Sequence, residues 1–262
     1  MLDVEFAQIT DPGRVREGNE DYLGYVLPGT PAEARARGWL FALADGVGGQ
    51  DRGEVASRLA VETLLAGFRE ASPAEHHTSM LQRLAQAANT RIYEAGAEAQ
   101  ISMATTLVAC ALRYDRAALA HAGDSRCYLI RGAGATALTR DHTVAGEQAR
   151  LGVAPDGEEE PSIRHLLSRS IGNEMFVNVE TSEINLHPGD VLLLCSDGLH
   201  GAVGAPEIAR VVSHSPSLDA AAEKLIAIAN QRDGSDNITV QLIRVRSVER
   251  VGMYRGRPYK IR

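Results

Sequence analysis

The chain has 262 residues, 44% hydrophobic and 23% charged, which suits one large domain or two small ones with a sizeable core. With 34 acidic and 27 basic side chains its net charge is −7, and only Lys224 and Lys260 are lysines. That rules out a Walker A loop, leaves few Schiff-base candidates and makes nucleic acid a poor partner. The purest apolar run, 107–112, is far too short to span a membrane, and the first residues lack the basic start and apolar stretch of a signal peptide, so the cytoplasm is the expected location. Cys110, Cys127 and Cys195 are widely spaced in apolar runs and read as buried free thiols, not as a disulfide framework or a metal knuckle.

In chain order, β-branched and apolar runs predict strands at 4–10, 22–27, 39–44, 105–112, 117–121, 126–130, 177–184, 191–195 and 238–245. The short gap after Asp115 leaves no room for a crossover, so the strands around it form an antiparallel hairpin. Helical periodicity covers 54–68, with Val55, Leu59, Thr63 and Ala66 on one side and Leu64, Leu65 and Phe68 adjoining them. It returns at 74–99, where Met80, Leu81, Leu84, Ala88, Ile92 and Tyr93 recur at three and four, and at 218–230, with Ala222, Leu225, Ile226 and Ala229. Helices set apart from runs of antiparallel strands predict a layered α+β domain. Residues 140–178, rich in glycine and proline, read as a surface flap between strands. Residues 243–262 carry seven basic side chains and one acid. This basic tail either folds back over the acidic body or docks on an acidic partner or membrane surface.

The chemistry-bearing feature is the placement of aspartates. Asp21, Asp45, Asp124, Asp197 and Asp236 each sit in a Gly- or Asn-bearing turn next to a predicted strand. One Asp-Gly pair is ordinary turn chemistry. Several carboxylates converging on one sheet edge would repel unless cations lay between them, and oxygen donors without His or Cys favour Mg²⁺ or Mn²⁺ over zinc.

These residues fall in strings that resemble the motifs of the protein phosphatase 2C (PPM) family of metal-dependent serine/threonine phosphatases, compact bacterial type. The strings run from Thr10-Asp-Pro-Gly-Arg-Val-Arg16 and Asn19-Glu20-Asp21 to Leu43-Ala-Asp-Gly-Val-Gly-Gly49 and Gly53-Glu-Val-Ala-Ser57. They continue with Met103-Ala-Thr-Thr-Leu107, Ala122-Gly-Asp-Ser-Arg126, Leu138-Thr-Arg-Asp-His142, Leu194-Cys-Ser-Asp-Gly-Leu199 and Ser235-Asp-Asn-Ile-Thr-Val240, in the family's order over 4–245. The resemblance implies a four-layer αββα sandwich, two mainly antiparallel sheets flanked by helix pairs, with a flap insertion. It implies a phosphatase domain at 1–245 and a tail at 246–262. At one end a binuclear Mg²⁺ or Mn²⁺ centre would hydrolyse phosphoserine and phosphothreonine by a metal-bridged hydroxide. Asp45 would bridge the two ions, the Gly46 carbonyl would bind one, and Asp197 and Asp236 would ligate the other. Glu20 and Asp21 would act directly or through water, Asp124 would help hold a third ion, and Arg16 would clamp phosphate. The implied partners are phosphoproteins, among them a bacterial eukaryotic-like Ser/Thr kinase and FHA-type proteins, acted on by a monomer. The ending at 252–262 is similar to that of phosphatases tied to type VI secretion.

Two positions depart from the pattern. Val47 stands where some eukaryotic members carry a histidine proposed to protonate the leaving group, and Ala104 replaces a glycine. His121 and His142 are the nearest alternatives by sequence, and both read first as satisfying core or turn hydrogen bonds. Among rivals, Cys110 and Arg116 match the C-x5-R spacing of cysteine phosphatases, but the intervening residues contain no glycine to cradle phosphate. No G-x-S-x-G elbow exists either. The open alternatives are a non-catalytic phosphoprotein-binding or sensor domain of the same fold, and a phosphatase of small phosphomonoesters.

Overall fold

The structure is a computed structural model that describes residues 1–47, 52–152, 166–254 and 257–260. Twelve strands and seven helices are found among those residues. The strands are β1 (Asp3–Asp11), β2 (Asp21–Val26), β3 (Trp39–Asp45), β4 (Leu107–Arg113), β5 (Arg116–Ala122), β6 (Arg126–Arg131), β7 (Gly134–Ala137), β8 (Glu180–Asn185), β9 (Val191–Cys195), β10 (Ile238–Ser247), β11 (Val251–Tyr254) and β12 (Arg257–Lys260). The helices are α1 (Pro31–Ala36), α2 (Gly53–Glu70), α3 (His77–Ala99), α4 (Val144–Leu151), α5 (Asp197–His200), α6 (Ala205–His214) and α7 (Leu218–Arg232).

Two five-stranded antiparallel sheets, ordered β1-β10-β9-β6-β7 and β2-β3-β4-β5-β8, stack face to face. The alternation of side chains across each strand explains the layering. In β3, Trp39, Phe41 and Leu43 point into the core between the sheets, while Leu40, Ala42 and Ala44 pack under α2 and α3. In β9, Leu192 and Leu194 face the same central core, and Val191, Leu193 and Cys195 face α6 and α7. Both faces of these strands are buried, so they read as continuous apolar runs; each large side chain buried there stabilises the fold by about 1.5–3 kcal/mol. The result is the expected αββα sandwich. No described helix is long and apolar enough to cross a membrane.

The predicted hairpin is present, with Arg113 opposite Arg116 across a two-residue turn whose Tyr114 has φ 61°. The predicted face of α2 is corrected in part: Leu64 and Phe68 are buried as expected, together with Ala56, Ser57, Ala60 and Val61, whereas Val55 and Leu59 lie at the flank and Ala66 is exposed. Ala56, Ser57 and Ala60 on that face leave room for α2 to lie close to the sheet. The strand expected from 105 starts at Leu107, because Thr105 and Thr106 are engaged with the end of β3. The flap contains α4, and its 153–165 stretch lies outside the described residues, as does the Gly48-Gly49 end of the second motif. At the basic end, Arg244 and Arg246 are held by Glu5 across the β1–β10 ladder, and Glu249 accepts from Arg35 at 3.1 Å. The β11–β12 hairpin follows, and side chains from Met253 onward lie outside the described set.

Candidate active site

The sheet edges place the predicted aspartates around one end of the sandwich. Asp45 ends β3 and Asp21 starts β2, directly opposite each other in the antiparallel register. Asp197 opens α5 immediately after β9 and Ser196, and Asp236 stands just before β10, next to β9 in the same sheet. Asp124 sits in the turn between β5 and β6, 6% exposed.

The Asp45–Gly46 peptide is held at both ends. The Asp45 carbonyl accepts from Thr105 Oγ1 and the Thr106 amide, both at 2.8 Å, the Asp45 amide donates to Thr106 Oγ1 at 2.9 Å, and the Gly46 amide donates to the Glu20 carbonyl at 3.1 Å. A Cβ on Gly46 would lie 2.4 Å from the Gly53 backbone, so glycine is required where α2 begins. Asn237, 4% exposed, ties the loop before β2 to β10. Its Oδ1 accepts from the Glu20 amide at 2.8 Å, and its Nδ2 donates to the carbonyls of Pro12 and Gly18, both at 2.9 Å. Ser196 Oγ donates to Asp21 Oδ2 at 2.7 Å and accepts from the Thr239 amide at 2.9 Å. Asn237→Ala removes three buried hydrogen bonds, about 1 kcal/mol each. Calorimetry should show its Tm roughly 6–12 °C below wild type, and an unchanged Tm would contradict this role for the side chain.

The electrostatics show how crowded the carboxylates are. Burial pushes Asp45 well up from the usual carboxylate range, and the charges of Asp21, Asp197, Asp124 and Asp236 push it further. Asp21 is raised to about 6, chiefly by burial against the opposing hydrogen bonds of Thr239 and Ser196, and its Oδ1 is buried with no hydrogen-bond partner among the described residues. Asp124 is raised to about 7 by burial, then by Asp197 and Asp141. Burial also raises Glu20, against the pull of Arg16. Arg16 donates from Nη2 to Asp236 Oδ2 at 2.9 Å, and that hydrogen bond raises its own proton affinity. Sequence reasoning expects Arg16 to meet phosphate; here its partner is a neighbouring carboxylate. A buried, orphaned carboxylate oxygen amid acids with only oxygen donors fits hard divalent cations such as Mg²⁺ or Mn²⁺.

Two of the histidines form a pair of their own. His121 and His142 stack with ring centroids 4.5 Å apart, and with Glu180 their ligating atoms lie within 4.8 Å of one another. His142 meets the expectation of a turn histidine: its Nδ1 accepts from the Gly123 amide at 3.2 Å and its amide donates to the Gly123 carbonyl at 2.8 Å. That leaves the ring proton on Nε2, facing Glu180 Oε2 at 3.2 Å, with an Arg169 nitrogen 3.3 Å away, so the group is a poor metal cradle. His121 departs from the expectation, because neither ring nitrogen has a hydrogen-bond partner among the described residues, and burial lowers it to about 3. His142 and Glu180 help line a groove of about 710 Å³ together with Arg126, Arg140, Asp141 and Arg169. The cysteines are inert, since burial raises all three thiols, Cys195 to about 12.

Sequence reasoning did not single out Asn237, Ser196, Thr105 or Thr106 for a role, although three of the motif strings contain them. His200, one turn into α5, pairs through Nε2 with the Asp124 carbonyl at 3.0 Å and was missed as well.

A sequence model described as "Protein phosphatase 2C" matches residues 19–242. The chain belongs to the protein phosphatase 2C family. It is 35% identical over 254 residues to the serine/threonine phosphatase stp of Listeria innocua, covering 95% of this chain and 96% of that protein. The S. agalactiae serine/threonine phosphatase superposes with a TM-score of 0.84 at 31% identity, over 93% of this chain and all of that one. The catalytic domain of the serine/threonine phosphatase PstP, solved with two manganese ions, superposes at 0.79 with 32% identity, over 94% of this chain and all of that domain. The protein is thus a hydrolase that removes phosphate from serine and threonine side chains of proteins, in a metal-dependent family.

Proposed function

We propose that the acidic cluster holds two Mn²⁺ or Mg²⁺ ions, with room for a third beside Asp124. Asp45 would be shared by the two, the Gly46 carbonyl would serve one, and Asp197 and Asp236 would serve the other. Glu20 and Asp21 act directly or through water. The observation that carries this is the buried Oδ1 of Asp21, unpartnered among the described residues, amid carboxylates whose charges raise one another's proton affinity. Bound there, divalent ions supply the Lewis acidity that makes water a nucleophile near neutral pH.

The chain's own groups do the rest. The Thr105 and Thr106 bonds fix the peptide from which the Asp45 carboxylate and the Gly46 carbonyl project, so the donors are set before substrate arrives. Arg16, 47% exposed at the rim, is placed to grip a phosphate dianion once its tie to Asp236 is exchanged. No side-chain nucleophile is required, consistent with the inert cysteines. With Val47 in place of histidine, protonation of the leaving serine or threonine falls to water or to another side chain; His121, buried and held neutral, is unsuited to it.

Residues 1–245 form the catalytic domain, with 140–178 as its flap and 246–262 as a basic tail. The enzyme works as a cytoplasmic monomer that opposes a eukaryotic-like Ser/Thr kinase, with the kinase itself and FHA-type phosphoproteins as its targets; similarity to bacterial Ser/Thr phosphatases supports the dephosphorylation. Manganese binding followed by electron paramagnetic resonance tests the centre. Wild type should take up two ions per chain and Asp45→Ala neither tightly; equal uptake by both proteins would refute the ligand assignment. Arg16→Lys should leave that uptake intact while lowering kcat/KM on a phosphothreonine peptide by about tenfold or more, for loss of the bidentate grip; an unchanged kcat/KM would remove Arg16 from phosphate binding.

A further inference from the structure

Asn89 lies in the middle of α3 with no exposed surface, a costly place for a side-chain amide unless all its polar atoms are used. They are used, and all on the flap's return segment. Its Oδ1 accepts from the Gly172 amide at 2.7 Å, and its Nδ2 donates to the carbonyls of Glu174 at 2.8 Å and Met175 at 3.1 Å. Gly172 has φ 95°, and a Cβ there would lie 2.3 Å from Ile92 Cγ2, so the segment sits directly on α3. Its neighbour Ile171 exchanges both backbone hydrogen bonds with Thr105, at 2.8 and 3.0 Å. Thr105 in turn bridges to Gly46 and donates its Oγ1 to the Asp45 carbonyl. A single fully buried threonine therefore stands between the flap and the peptide that presents the proposed metal ligands.

We infer that Asn89 is a positioning residue for the dephosphorylation reaction, fixing the flap's return and, through Gly172, Ile171 and Thr105, the Asp45–Gly46 peptide. The inference rests on the proposed ligand role of Asp45 and Gly46. Ordering of the flap and metal affinity are then linked, and the linkage is reciprocal: whatever orders 171–175 tightens the metal centre, and metal binding steadies the flap.

The test compares Mn²⁺ affinity, measured by calorimetric titration without substrate, in wild type, Asn89→Leu, Thr105→Val, Thr105→Ser and the double variant Asn89→Leu/Thr105→Val. Circular dichroism establishes that each is folded. Leucine shares asparagine's branching and heavy-atom count, though it is bulkier, and makes none of its three bonds; valine replaces only the Oγ1, with a methyl. Each is expected to weaken Mn²⁺ binding by about 3- to 30-fold, the range seen for coupling through a packed network. Thr105→Ser should restore wild-type affinity, and the double variant should lose little more than the worse single one, because both changes cut the same chain of contacts. A loss of Tm without loss of Mn²⁺ affinity, or fully additive losses in the double variant, would overturn the inference and leave Asn89 a packing residue. Failure of the underlying ligand reading looks different: Asp45→Ala would bind Mn²⁺ as wild type does, which overturns both. Should Asn89→Leu not fold, Thr105→Val with wild-type affinity by itself refutes the route to Asp45.

Discussion

In Asp236→Asn, the manganese concentration giving half-maximal turnover is expected to rise about tenfold or more, while KM for the phosphopeptide stays level or falls. The substitution removes one negative charge from a set of hard oxygen donors, and the amide that remains is a weaker ligand for a divalent ion. It also releases Arg16, whose Nη2 is bound to this carboxylate at 2.9 Å. Both partners of that pair are well exposed, 47% and 39%, so the bond itself adds little stability and its loss should scarcely move the Tm. The freed guanidinium then meets phosphate without first giving up a competitor. A metal requirement unchanged from wild type would mean that Asp236 serves only to hold Arg16.

Stripped of divalent ions by a chelator, the protein should lose stability as pH rises from about 4 to about 7. The sign follows from the direction of the shifts. Asp21 and Asp124 ionise near 3.9 in an unfolded chain, but in the fold they are raised to about 6 and about 7. Across that window the folded state binds more protons than the unfolded one, so stability falls with pH. The penalty is absent below the unfolded value and complete above the folded ones. The two shifts are together worth on the order of several kcal/mol, and Asp45 adds to them in the same direction. For a chain of this size the metal-free Tm should drop by roughly 5–15 °C between pH 5 and pH 8. Mn²⁺ should recover the loss at pH 8 and do little at pH 5, where protons already occupy the site. A metal-free Tm that is flat or rises over this range would show that the carboxylates are not driven together as described.

Nine of the twelve described strands could be read from the sequence, because those at the centre of each sheet are buried on both faces and a two-residue gap forces the β4–β5 hairpin; β7, β11 and β12, four residues each, carry too little pattern. Four helices could not be read, and α5, four residues long, is too short to show a period at all. The start of α1 is marked by Thr30, which caps the Glu33 amide at 3.2 Å, and by Pro31, but six residues with one buried alanine carry no periodicity. Pro206 and Glu207 mark the start of α6, with Ile208, Val211 and Val212 at helical spacing, yet ten residues after a glycine-rich turn pass easily for loop. In α4, Gly146 weakens the helical pattern inside a segment dominated by breakers. The acidic residues of the site were visible since each ends or precedes a strand. The residues that support them were not, because they act through register between distant segments. Asn237 holds Glu20 from 217 positions away, and Asn89 reaches Gly172 across 83. Only the pairing of strands brings such groups together, and a buried amide in a helix looks, in sequence, like any other polar residue.

Phosphate release from a phosphothreonine peptide, with and without Mn²⁺, in wild type and Asp45→Ala, tests the central claim most directly. Turnover should depend on the metal and fall by about 10³-fold or more in the variant, whose fold stays intact. Metal-independent turnover, or an Asp45→Ala enzyme as active as wild type, would contradict a mechanism centred on this cluster of carboxylates.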